Sequence, residues 1–386
     1  MNNIKIAMLS DSFFPVRGGR EFAIDNIMKN LSKTNDCFLG APKFKKSSFI
    51  TPLDYKVFRC NSISFSKNEV LSIANRSFRK QVESNPFDII HLQTKYGLAS
   101  YAIKLKKKFK VPLVCSVHTN YPDLYKKQIK FPFIRFLALQ RVKYVLNKSD
   151  SIITVSEQMK AKLEEMGCKK PITVIPNGCD LVYPENPQSL VDYVDKLYGL
   201  KDISNLLLFV GRLNSTKNFD FLLDSLAELK KLHGPNFLLL AVGGGNFSAF
   251  EKKLQELDLT RNVRILGEIS DRKIIQSLYL RSDLHVCPST IETFGMTIQE
   301  AASQKTPSIT IEHIATSNNI IDEENGFITS LNPLVFASKI SVALSDKQKL
   351  TEIGEKAFLA LNNSWEDITK KYLEEYSKII EHKKEQ

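Results

Sequence analysis

Glu292 and Glu300 are separated by Thr293-Phe294-Gly295-Met296-Thr297-Ile298-Gln299. If a helix begins near Gly295, the backbone N–H groups from Phe294 to Thr297 form an anion site at its positive end. Glu292 then projects from the preceding loop, and Glu300 lies about a turn and a half inside the helix. Carboxylates beside a phosphate repel it unless they accept hydrogen bonds from sugar hydroxyls, so the pair favours a nucleotide sugar over inorganic phosphate. A bare pair of glutamates at a helix start is also common as surface decoration. Upstream, Val210-Gly211-Arg212-Leu213-Asn214-Ser215-Thr216-Lys217-Asn218 leaves an apolar run with two cations five residues apart. Arg212 as a fork and Lys217 as a point charge suit a diphosphate, with solvated loop charges as the alternative. Gly243-Gly244-Gly245 offers a close-approach backbone or a flexible turn. Gly18-Gly19, in the loop Asp11–Glu21, opens a helix where N–H groups could meet a phosphate; a plain turn fits that segment equally. Its spacing matches neither Gly-x-Gly-x-x-Gly nor a P-loop, which weakens dinucleotide and NTPase assignments. His118 follows an apolar run. A lone histidine there is often a satisfied core residue, but a place at a strand's carboxyl end favours a functional role.

The elements that position these residues alternate along the chain. Strands are expected at Ile4–Leu9, Ile89–Leu92, Leu113–Val117, Ile152–Val155 and Ile172–Ile175, with helices at Glu21–Leu31, Leu98–Lys108, Phe133–Leu146 and Glu157–Met166. A second series follows, with strands at Leu206–Val210, Phe237–Val242, Val263–Leu266, Leu284–Cys287 and Ser308–Ile311, and helices at Phe219–Leu232, Phe250–Leu257, Arg272–Leu280 and Thr297–Ala302. This rhythm predicts an α/β protein of two doubly wound, mostly parallel sheets whose ligand crevices lie at the strands' carboxyl ends. Pro176-Asn177-Gly178 and the stretch Tyr183–Gln188 read as a linker, which sets domains at 1–180 and 181–363. Residues 364–386 form a terminal helix capped by Ser364. The 386 residues exceed one ordinary core. No run is long and apolar enough for a membrane span, and the first residues lack signal-peptide flanks, so a cytoplasmic protein is expected. Six dispersed cysteines, none as Cys-x-x-Cys, argue for reduced thiols.

These motifs together resemble the GT-B retaining glycosyltransferases, the superfamily that includes bacterial sugar transferases, sucrose synthase and phosphatidylinositol mannosyltransferases. The resemblance spans the Gly18-Gly19 loop, Ser116-Val117-His118-Thr119-Asn120-Tyr121, Val155-Ser156-Glu157, Ile175-Pro176-Asn177-Gly178-Cys179-Asp180, Gly211-Arg212-Leu213 with Lys217, Glu292 with Glu300, and the Trp365 helix. It implies two Rossmann-like domains, with the terminal helix returning to the first. It also implies that Gly18 and Gly19 approach the donor diphosphate and that Arg212 and Lys217 neutralise it. Glu292, Gly243 and the backbone of Phe294, Gly295, Met296 and Thr297 would hold the donor sugar and phosphate, and Glu300 the ribose. His118 and Glu292 would serve the reacting centre, with anomeric configuration retained by same-face attack in a tight ion pair. No Asp-x-Asp pair or metal-ligand spacing occurs, so no cofactor or metal is expected. This chain departs from its relatives at Gln304-Lys305-Thr306-Pro307, where a glycine is usual, and at Ile314–Ser317, where Gly-Gly is usual.

Charge divides unevenly: residues 1–180 carry 31 Lys+Arg against 14 Asp+Glu, and the remainder 23 against 28. The basic half suggests a polyanion or an anionic membrane surface. Between Lys104 and Lys148 lie twelve cations and one acidic residue, Asp123, and Lys126, Lys127, Lys130 and Arg135 alternate with Phe131 and Phe133. A helix starting at Pro132 would suit a membrane interface, or its Phe and Leu side chains could pack inward. With His118-Thr119-Asn120-Tyr121 before it, the segment is similar to diacylglycerol glycosyltransferases. The expected partners are therefore a UDP-linked nucleotide sugar and a lipid or glycan acceptor at the inner membrane face. Capsule, wall or lipooligosaccharide synthesis is the alternative. A nucleic-acid-binding protein is disfavoured because no recognisable module is present and the glutamate pair would have no role. A catalytically silent sugar-binding module is disfavoured because His118, Arg212, Lys217 and Glu292 are all retained.

Overall fold

A computed structural model describes residues 3–16, 18–44, 53–64, 70–93 and 97–385; Arg17, within the first glycine loop, lies outside them. The chain divides into two compact units, one of residues 1–178 with 364–386, the other of residues 179–363.

The first unit contains β1 (Ile6–Leu9), α1 (Gly19–Leu31), β2 (Cys37–Pro42), β3 (Lys56–Ser64), β4 (Val70–Ile73), α2 (Arg76–Glu83) and β5 (Ile89–Leu92). They are followed by α3 (Gly97–Phe109), β6 (Leu113–Val117), α4 (Tyr121–Gln128), α5 (Pro132–Lys148), β7 (Ser151–Thr154), α6 (Glu157–Glu165) and β8 (Ile172–Val174). Its sheet has the order β4-β3-β2-β1-β5-β6-β7-β8, parallel throughout except for β3 with β4. Side chains alternate across each strand. Ile90, Leu92, Leu113, Cys115 and Val117 join one core with α3 and α5, while His91, Gln93 and Ser116 belong to the opposite set. Asp11, buried beyond β1, accepts from the Leu98 amide at 3.1 Å and so anchors that loop to the start of α3.

The second unit contains α7 (Pro187–Tyr198), β9 (Leu206–Val210), α8 (Phe219–His233), β10 (Leu238–Val242), α9 (Phe247–Glu256), β11 (Val263–Gly267) and α10 (Arg272–Arg281). They are followed by β12 (Leu284–Cys287), α11 (Met296–Ser303), β13 (Ser308–Ile311), β14 (Phe327–Thr329), α12 (Pro333–Ser345) and α13 (Lys347–Leu361). The sheet order is β11-β10-β9-β12-β13-β14, all parallel. Leu207 and Phe209 pack with α8 and α12; Leu206 and Leu208 pack with α7 and α10. Both faces are therefore covered, and the strands read as unbroken apolar runs.

The interval 183–188 is only partly linker. Asn186 accepts from the Ser189 amide and Pro187 opens α7, so the residues that suggested a loop are a helix cap and its first position. The last helix, α14 (Trp365–Lys384), has Ser364 as its cap, with the hydroxyl accepting from the Asp367 amide. It belongs to the first unit and packs against α1. All six cysteines are free thiols, five buried and Cys168 half-buried. No helix among the described residues is long and apolar enough to cross a membrane.

Gly178 lies flush with the start of α14: a Cβ there would stand 2.7 Å from the backbone of Trp365. Gly178→Ala is expected to destabilise the first unit by ~1–3 kcal/mol through overpacking, read as an earlier thermal transition; an unchanged transition would mean that α14 is free to shift.

Candidate functional site

In the second unit the candidate residues stand on loops that leave β9, β10 and β12. The Asn214 side chain accepts from the amides of Thr216 and Lys217 at 3.0 and 3.1 Å, which shapes the cation loop. The Asn218 side chain ties it to the Pro288 carbonyl beyond β12. The glycine run after β10 is not a flexible turn. Gly243 holds φ +146° so close to the preceding loop that a Cβ would stand 1.8 Å from the Gly211 carbonyl oxygen, and the Leu213 amide donates to the Gly244 carbonyl. A cleft of about 460 Å³ opens here, lined by Arg212, Asn214, Gly244, Asn246 and Glu268 among others, a size that suits part of a nucleotide. The larger groove of about 920 Å³ on the first unit, lined by Arg76, Arg79, Lys80 and Lys108, contains none of the residues that the sequence motifs single out.

Helix α11 starts at Met296, as the glutamate spacing predicts. Gly295 is its cap at φ +84° and supplies no side-chain cap bond, and a helix start of this kind suits an anion. Thr316 fills the space beside Gly295. Glu292 forms an ion pair with Lys217, with both side chains largely buried. Burial opposes the Lys217 charge, but Glu292 beside it raises the lysine pKa overall. Glu300 is buried and occupied on both oxygens: Arg272 donates to one at 2.9 Å and the Tyr279 hydroxyl to the other at 3.0 Å. Arg272 also grips Asp180 through two hydrogen bonds. Burial raises the Glu300 pKa despite Arg272. Lys305, in the segment Gln304-Lys305-Thr306-Pro307, takes a left-handed φ of +60°, a bend that glycine adopts without strain. Its ammonium pairs with Glu355.

In the first unit, Gly18 caps α1 without a side-chain bond, and Gly19 is the first helical residue. Arg20 donates twice to the buried Glu21. His118 follows β6, and its Nε2 bonds Gln93 Oε1 at 2.9 Å. Burial foremost, then the Arg20 charge, pushes the His118 pKa down to about 4. Arg20, Glu21, Gln93 and Arg272 were not singled out in the sequence. Gln93 and His91 carried a signal, two polar side chains two residues apart on one face of an apolar strand.

Helix α5 begins at Pro132, and the large apolar side chains of its opening turns do not pack inward, whereas Ala138 and Leu139 pack against the core. Phe131, Phe133, Ile134, Phe136 and Leu137 are 68%, 70%, 51%, 55% and 51% exposed. Lys126, Lys127 and Lys130 are exposed beside them and Arg135 is half-buried. Only the second half of α5 buries apolar residues, Val142, Val145 and Leu146. Among the described residues, no three His, Cys, Asp or Glu converge as metal ligands.

The chain belongs to the GT-B glycosyltransferases: the family described as Glycosyl transferases group 1 matches residues 193–359, and Glycosyltransferase Family 4 matches residues 18–183. A relative named alpha-monoglucosyldiacylglycerol synthase, from Streptococcus pneumoniae, is 26% identical over 84% of this chain and 74% of that protein. One of the same name from Acholeplasma laidlawii is 21% identical over 85% of each. In fold, the chain is similar to Anabaena HepE, solved in complex with UDP and glucose, with a TM-score of 0.79 at 21% identity over 97% of this chain and 100% of that one.

Three buried imidazoles give the fold an acid limit. Burial pushes His91 and His285 down to about 3 and His118 to about 4, whereas in the unfolded chain they titrate near ~6.5. Below that pH the unfolded chain binds more protons, so their contribution is complete above ~6.5 and is lost as pH falls toward 4. Thermal unfolding from pH 7.5 to 4.5 is expected to show Tm dropping on the acid side, less steeply for His118→Asn; a flat Tm would mean that these rings are not held neutral.

Proposed function

We propose that this glycosyltransferase moves a hexose, with retention of configuration, from a UDP-sugar to a lipid or lipid-linked acceptor at an anionic membrane surface. The observation that carries the lipid assignment is the exposed opening of α5, where large apolar side chains stand among cations. Such a surface enters the headgroup boundary, and each cation near anionic lipid adds ~1 kcal/mol. The two relatives named alpha-monoglucosyldiacylglycerol synthase support the same acceptor class, and the HepE complexes with UDP and with UDP-glucose support the donor.

In this proposal the diphosphate lies against Arg212, Lys217 and the start of α11. Lys217 exchanges Glu292 for phosphate, which releases the Glu292 carboxylate to accept from a sugar hydroxyl. Glu300, already holding Arg272 and Tyr279, offers its remaining lone pairs to the ribose. As the glycosidic bond breaks, negative charge grows on the leaving diphosphate, and the fixed cations and helix end stabilise it without a bound metal. His118 is held neutral at physiological pH by its burial, and the family resemblance assigns it to the transfer centre.

A screen of nucleotide sugars against diacylglycerol, glycolipid and soluble glycan acceptors, with products identified by mass, tests the function. UDP is expected to raise Tm in the presence of chelator, and Lys217→Ala to lower turnover by roughly 10²–10³. Activity abolished by chelator and restored by magnesium would sink the metal-free mechanism. The protein is also expected to sediment with vesicles containing anionic lipid and to be released by salt, or by Lys126→Glu, Lys127→Glu and Lys130→Glu together, with UDP binding unchanged. Indifference to such vesicles, with full activity on soluble glycans, would overturn the lipid assignment.

A further inference from the structure

A continuous line of polar side chains runs inside the first unit from His118 to the C-terminal helix. His118 Nε2 bonds Gln93 Oε1 at 2.9 Å, and the Gln93 amide nitrogen lies 3.1 Å from His91 Nε2. His91 Nδ1 stands 2.5 Å from the hydroxyl of Tyr376 on α14, and the Ser116 hydroxyl lies 2.6 Å from His91 Nε2. Gln93 is 1% exposed, and His91 and Tyr376 are fully buried. Strand register makes this possible. His91 pairs with Val114 and Leu92 with Cys115 across β5 and β6, so Gln93 falls level with Ser116, and the i, i+2 pairs His91/Gln93 and Ser116/His118 share one face.

We propose that Gln93, His91 and Tyr376 are positioning residues that decide which nitrogen of His118 carries the proton. The inference rests on His118 serving the transfer centre, as in the function proposed above. The primary amide has one accepting and one donating end. With its carbonyl toward His118, it requires a proton on His118 Nε2 and leaves Nδ1 unprotonated. Its NH₂ then donates to His91 Nε2, so His91 carries its proton on Nδ1 and donates to the Tyr376 hydroxyl. Met8 Sδ, 3.9 Å from the amide nitrogen, favours the same orientation. Turning the amide over reverses both rings at once. Because burial keeps both imidazoles neutral, neither escapes the choice by taking a second proton. An apolar residue at Gln93 would satisfy the core at lower desolvation cost, but it would offer no acceptor to His118 Nε2–H and no donor to His91 Nε2.

The ring nitrogens of protein labelled with ¹⁵N-histidine report the tautomers directly, with His118 assigned by comparison with His118→Asn. The expected wild-type signal is a single neutral Nε2–H form. Gln93→Leu is expected to give a mixture. Tyr376→Phe, which removes one hydroxyl and keeps the ring, takes away the acceptor for His91 Nδ1–H and is expected to shift His118 toward Nδ1–H. A His118 tautomer unchanged in both variants overturns the proposal. In the transfer assay, Gln93→Leu is expected to lower kcat roughly ten- to hundredfold, the scale of a misplaced catalytic group, with donor KM within about twofold, and to add nothing in a His118→Ala background. An equal loss in that background shows a structural role and overturns the proposal. His118→Ala with undiminished kcat refutes the role of His118 itself, a separate failure, because the tautomer signals still decide whether the relay exists.

Discussion

Parallel pairing sends the carboxyl ends of neighbouring strands to the same edge of a sheet, and the chemistry of each unit depends on that constraint. Arg212 and Lys217 after β9, Gly243 after β10 and Glu292 after β12 are remote in sequence, yet they leave adjacent strands on one edge. The approach of Gly243 to the Gly211 carbonyl then removes the freedom that such loops usually have. His118 after β6 and Gln93 after β5 repeat the arrangement in the first unit. Helices on both faces make this economical, because an all-parallel sheet must be covered on each side and its helices begin where its strands end.

The charged side chains on the strand-end loops of the second unit are paired within the fold. A lysine and a carboxylate withdrawn from water cost free energy unless each has a partner, and Lys217 with Glu292 satisfies both. Glu300 meets the same requirement through Arg272 and Tyr279. The two glutamates of one motif therefore differ. Glu300 is fastened from two sides by Arg272 and Tyr279, whereas Glu292 pairs with Lys217.

Much of this was legible in the sequence where one local signal dominated. The expected strands at Ile89–Leu92, Leu113–Val117, Leu206–Val210, Leu284–Cys287 and Ser308–Ile311 coincide with β5, β6, β9, β12 and β13, because doubly covered strands are continuous apolar runs. The strands β2, β3, β4 and β14 were not expected, and two of them show why. β2 contains Gly40 and Pro42, and β3 mixes Arg59, Asn61 and Ser62 into its apolar positions toward the sheet edge. Helix α7 was hidden because Asn186 and Pro187 signal a turn as readily as a cap. At the site, the glutamate spacing located α11 to within a residue, and Pro132 located α5. The pairing of Lys217 with Glu292, of Arg272 with Glu300 and of Gln93 with His118 was not legible, since each depends on which loops become neighbours. The outward turn of Phe131, Phe133 and Phe136 was equally open, because a short amphipathic stretch does not say which face is covered.

The first unit is sewn from two ends of the chain. Residues 1–178 can build the eight-stranded sheet, but Tyr372 and Tyr376, fully buried in the finished protein, arrive only after the whole second unit has been made. During synthesis the face bearing His91 and Ser116 waits uncovered while about two hundred further residues leave the ribosome, a delay of roughly 10–40 s at ~5–20 residues per second. Without α14 the face bearing His91 and Ser116 would lose the cover that Tyr372 and Tyr376 give it.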